Sequence, residues 1–67
     1  MFENRRKKKE FIKHVFDNIE YADSNGYNVC SIYIEVTPKD HLQAAIKALN
    51  KKKYFWGIEG SDLRIQW

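Results

Sequence analysis

The chain is poor in the residues that staple, kink or hinge small domains: of its 67 residues one is cysteine, one is proline, two are histidine and three are glycine. A single cysteine excludes an intrachain disulfide framework. His14, His41 and Cys30 are the only soft metal ligands, none lies at i, i+4 spacing from another, and Cys30 falls on an apolar strand face where free cysteine behaves as a small hydrophobe. No metal and no cofactor are therefore expected. No apolar run approaches the roughly 18 residues that cross a bilayer, and the basic first residues lack the apolar stretch that follows them in a signal peptide. A cytoplasmic protein with no membrane contact is the expectation. There is no G-x-S-x-G elbow, and Gly57-x-x-Gly60 lies in a hairpin rather than between a strand and a helix, so it reads as a bulge and a turn and not as a phosphate loop.

What is present points to a folded chain. With 43% hydrophobic and 15% aromatic residues it is too apolar for disorder. A chain of this length buries only roughly 60% of its unfolded surface, which suits one small domain over residues 1–67 and leaves no room for a large enzymatic cleft. The net charge is +3, but residues 1–14 hold six Lys/Arg against two Glu, a local +4 that leaves −1 for the other 53 residues. The basic character belongs to the N-terminal end.

Periodicity predicts the order α-β-α-β-β. Ile12, Val15, Phe16, Ile19 and Ala22 form an apolar stripe at helical spacing within a first helix over about 4–23, which Ser24-Asn25-Gly26 stops. Extended backwards the stripe meets Arg5, Lys8 and Lys9, so the first two turns, within a basic end over 1–10, are expected to project into solvent and to fray. Residues 27–36 alternate as a strand with Cys30, Ile32, Ile34 and Val36 on one face. Thr37 as cap, Pro38 at the first helical position and Asp40 open a second helix, whose apolar face is Leu42, Ala45, Ile46 and Leu49 and whose end is Asn50 with Lys51, Lys52 and Lys53. Residues 54–59 and Leu63, Ile65 and Trp67 flank the turn residues Gly60-Ser61-Asp62 as a closing hairpin. The fold class is α+β: a mainly antiparallel three-stranded sheet with the last strand between the other two, direct pairing of the first and second strands being the alternative, and both helices on one face.

One sheet face is left uncovered. If Tyr54, Trp56 and Ile58 face the core, then Tyr33, Phe55, Arg64 and Gln66 share the open face, two aromatics and an arginine of the kind on which single-stranded bases stack. Arg5, Arg6, Lys7, Lys8, Lys9 and Lys13 supply a cationic contact for phosphates or for an acidic protein. The nucleic-acid contact set expected from the sequence is therefore Arg5, Arg6, Lys7, Lys8, Lys9, Lys13, Tyr33, Phe55 and Arg64, in a non-enzymatic binder of RNA or single strands. The same residues also fit a protein-interaction module, an inhibitor or an antitoxin-like factor with an acidic partner, and the exposed aromatics, with Phe11 and Tyr21 off the helix stripe, also fit a homodimer. A lesser alternative is a metal-independent ribonuclease drawing on His41, Lys53, Tyr54 and Arg64. The Lys-, Asn- and Tyr-rich composition of so short a chain resembles that of small accessory proteins of lytic phages, many of which bind and redirect a host enzyme or nucleic acid. That resemblance is one of composition and rests on no motif.

Overall fold

A computed structural model describes residues 2–67. The elements are helix α1 (Phe2–Ser24), strand β1 (Val29–Tyr33), helix α2 (Lys39–Lys51), strand β2 (Phe55–Glu59) and strand β3 (Asp62–Gln66), in the predicted order. The sheet runs β1-β3-β2, and β3 is antiparallel to both neighbours. Strand alternation turns Ile32, Leu63 and Ile65 toward the helices, where they meet Val15 and Ile19 of α1 and Ala45 and Leu49 of α2 in one core. Phe11, expected off the α1 stripe, packs against this core as well. The reason is spacing: Phe11, Val15 and Ile19 are successive i, i+4 neighbours on one helix face.

Both helices end in the same backbone motif with different residues. At α1, the N–H of Tyr27 bonds to Ala22 O at 2.9 Å and that of Gly26 to Asp23 O at 3.0 Å, with Gly26 at φ +86°. At α2, the N–H of Tyr54 bonds to Leu49 O and that of Lys53 to Asn50 O, both at 3.0 Å, and Lys53 takes φ +63°. These are paired Schellman closures. Glycine meets the left-handed position of the first without strain, whereas a lysine occupies it in the second.

Several local expectations are corrected. Thr37 does not cap α2: Pro38 is the cap residue, in extended conformation with no side-chain cap bond, and its carbonyl accepts from the N–H of Leu42. Asp40 is drawn instead to α1, as described below. Strand β1 is shorter than residues 27–36, because the chain turns at Ile34 (Thr37 N to Ile34 O, 3.0 Å) and leaves Val36 82% exposed rather than on the core face. Gly57 makes no bulge; it pairs regularly with Arg64. The hairpin closes in the two residues Gly60-Ser61, with φ +61° at Gly60 and not at Ser61, the pattern of a type II′ turn.

The first turns of α1 are not free of partners either. Asn4 donates from Nδ2 to Asp40 Oδ2 at 3.2 Å, accepts at Oδ1 from the Nε2 of buried His41 at 2.9 Å, and Lys8 Nζ lies 3.8 Å from Asp40 Oδ2. The end of α1 is thus fastened to the start of α2. Finally, Trp56 and Ile58 do lie on the helix side of the sheet, opposite Ile65 and Leu63, yet remain 38% and 51% exposed. β2 is an edge strand at the margin of α2, which covers it only in part. Only an indole-to-Asn50 Oδ1 bond of 2.8 Å ties Trp56 to α2.

Candidate nucleic-acid interface

The register settles which residues share the open face. Cross-strand rows Val29–Gln66–Phe55, Ser31–Arg64–Gly57 and Tyr33–Asp62–Glu59 all point away from the helices. Tyr33, Phe55 and Arg64 are therefore brought to one surface, with Tyr33 58% and Phe55 76% exposed. The two aromatics stand at diagonal corners on opposite edge strands. Four residues along and two strands across place them about 16 Å apart, with Arg64 in the central row between them. Gly57, beside Arg64, has no side chain to fill its position, and a notch of about 240 Å³ opens there, lined by Phe55, Glu59, Arg64 and Gln66 among others. Among the described residues, none of the Arg64, Glu59 and Gln66 side chains is engaged in a hydrogen bond or an ion pair. Their donors and acceptors are available at the rim of the notch.

The corner at Tyr33 has a different character. Its hydroxyl donates to Glu35, and this bond, with some desolvation and the nearby Asp62 carboxylate, pushes the phenol above its ordinary value. With Glu35, Asp62 and Glu59 around it, this corner is acidic. The Phe55 corner is separated by Tyr54 alone from the run Lys51, Lys52 and Lys53, all exposed. Of these, Lys52 stands 5.4 Å over the Phe16 ring.

The N-terminal cations lie in the other layer. At about 100° per helical residue, Arg5, Lys9, Lys13 and Arg6 spread over an arc of roughly 100° that starts at the Ile12 and Phe16 margin of the apolar stripe and runs away from it. Lys7 is 3.7 Å from Glu3, Lys8 is held by Asp40, and Lys13 is 3.4 Å from Asp17. Arg5, Arg6 and Lys9 have no ion pair among the described residues. The nine residues chosen from sequence thus divide into two surfaces on opposite sides of the sheet, Tyr33, Phe55 and Arg64 on one and the six cations on the other.

The residues considered for ribonuclease chemistry are not brought together. His41 is buried at the start of α2 while Lys53 and Tyr54 follow its end, and 12 helical residues separate such positions by about 18 Å. Arg64 is across the sheet from all three. Cys30 is half-buried and its thiol is pushed up by burial. Among the described residues no three of His, Cys, Asp and Glu gather in a metal-binding group, and no helix is long and apolar enough to cross a membrane. Two residues that sequence reasoning missed hold the helix layer in place: Asn4 and His41. His41 could have been found, since it heads the series His41, Ala45, Leu49 at i, i+4, i+8, the buried line of α2. No family model, no curated protein and no solved structure matches the chain.

Proposed function

We propose that the protein is a non-enzymatic binder of RNA or other single-stranded nucleic acid that works in the cytoplasm. The observation that carries this reading is the pairing of a 76% exposed Phe55 with Arg64 around the unfilled position at Gly57. A base stacked on Phe55 covers the notch, Arg64 and Gln66 offer donors to its edge or to the adjoining phosphate, and Lys53 is two residues away along the chain. The acidic Tyr33 corner repels phosphates, so the strand's backbone runs on the Phe55 side. Arg5, Arg6 and Lys9, with Lys13, add long-range attraction for a polyanion from the helix layer.

The test is fluorescence anisotropy of a labelled single-stranded RNA at low and moderate salt. Phe55→Ala weakens binding by about 5- to 150-fold, the equivalent of roughly 1–3 kcal/mol for a stacked base, with no loss of melting temperature because the ring is exposed. Replacing Arg5, Arg6 and Lys9 by alanine reduces the salt slope by about 0.7 for each phosphate that is no longer neutralised. Equal affinity of the wild type and Phe55→Ala contradicts the stacking site.

One observation favours a second reading. Because the basic arc of α1 is separated from the aromatic face, it is a complete surface on its own, suited to an acidic protein in the manner of an inhibitor or antitoxin-like factor.

A further inference from the structure

We propose that β2 is the pairing edge of a symmetric homodimer, in which two copies join antiparallel into one six-stranded sheet. The starting point is that β2 is exposed on both of its faces at once. Phe55 is 76% exposed on the open face, and Trp56 and Ile58 are 38% and 51% exposed on the helix side. The other edge differs: on β1 the helix-side Ile32 is 4% exposed and Cys30 is half-buried. Solvent-facing edges are ordinarily protected by lysine, proline, a bulge or a covering element. β2, Phe-Trp-Gly-Ile-Glu, has no lysine, no proline and no bulge, and α2 covers it only in part.

A second copy of this chain fits that edge in a definite register. With both helix layers on the same side of the joined sheet, opposed residues must share a face. Of the registers that satisfy this condition, the one with a two-fold axis at Gly57 pairs all five residues of each strand. Trp56 then lies opposite Ile58 of the partner, twice, so the exposed apolar groups on the helix side cover one another. Phe55 lies opposite the partner's Glu59, which keeps the like charges of the two Glu59 apart. Beyond the strands, Lys53 of each copy comes within a side chain's reach of the other's Glu59, positive against negative. Gly57 faces its own counterpart at the axis, and the two notches of the open faces become continuous.

Gly57 also supplies the test. A β-carbon there meets nothing within 4 Å and its φ is ordinary, so a side chain at this position leaves the monomer fold intact. In the dimer, Gly57→Glu sets two carboxylates directly opposite each other, which is destabilising. Sedimentation equilibrium without nucleic acid, from about 10 µM to about 1 mM, the range in which small interfaces associate, is expected to show the wild type rising from 8.0 kDa to twice that mass. Gly57→Glu is expected to stay at the monomer mass with an unchanged circular dichroism spectrum. In a mixture of isotope-labelled and unlabelled wild type, an intermolecular Overhauser effect between the Trp56 ring and the Ile58 methyls is expected. A wild type that remains monomeric throughout, a Gly57→Glu variant that dimerises equally, or a dimer without that Overhauser effect overturns the proposal.

Discussion

Asn4 is the residue through which the basic end of α1 meets α2, and its amide works in both directions: the carbonyl oxygen accepts from His41 and the nitrogen donates to Asp40. Removing it by Asn4→Ala leaves the Nε2–H of a buried histidine without a partner, an omission that costs roughly 1–3 kcal/mol and is read as a lower denaturant midpoint. Asp40 titrates below its ordinary 3.8, chiefly because Asn4 donates to it, with His41 and Lys8 adding positive charge against the opposing effect of desolvation. A carboxylate with a lowered folded value stabilises where it is ionised. Its contribution is complete above 3.8 and disappears as pH falls through the lowered folded value. Asp40→Asn should therefore melt below the wild type at about pH 7 and together with it at about pH 2; a deficit that persists in acid contradicts the charge argument. None of this was legible from sequence, because Asn4 and Asp40 are 36 positions apart and meet only through the way α1 crosses α2.

At the scale of elements, agreement between signals located the helices and strands but not every boundary: Thr37, Pro38 and Asp40 agree on a cap at Thr37, yet Pro38 is the cap residue. The stripe over Ile12 to Ala22, the stop at Gly26 and the alternation of Leu63 and Ile65 each have one interpretation, whereas the strand order had two, and the pairing of β3 with both neighbours decides it as β1-β3-β2. The edge strand was the opposite case. In residues 54–58 only Gly57 is not apolar, so period two does not declare which face is inward. The pairing of Trp56 with Ile65 and of Phe55 with Gln66 decides it. The same strand shows why a correct face does not imply burial: Trp56 and Ile58 point to the helix side but lie at the margin of α2, which covers them only in part. The α2 closure offers a sharper test of local physics. Lys53 adopts a left-handed conformation that costs a residue with a β-carbon about 1–2 kcal/mol. Lys53→Gly should raise stability by up to about that amount, less the greater chain entropy that glycine brings to the unfolded state. A fall in melting temperature would mean that the lysine side chain holds the closure by contacts of its own.

For the whole molecule, charge and aromatic surface are divided by the sheet. The helix layer carries the arc Arg5, Arg6, Lys9 and Lys13, and the open face carries Phe55 and Arg64 with an acidic corner at Tyr33. Composition revealed the first and alternation the second. Their separation follows from the expected layering, with both helices on one face and Tyr33, Phe55 and Arg64 on the other, once the register of β2 is fixed. The division makes the functional reading testable residue by residue. The most direct measurement is a two-dimensional amide NMR titration of labelled protein with a mixed-sequence single-stranded RNA at low and then moderate salt. Nucleic-acid binding on the open face predicts shifts at Phe55, Gly57, Arg64 and Gln66, with smaller ones over Arg5 to Lys13, all weakening as salt rises. Shifts confined to Arg5 to Lys13, or none, would contradict it and make the basic arc a surface for an acidic protein.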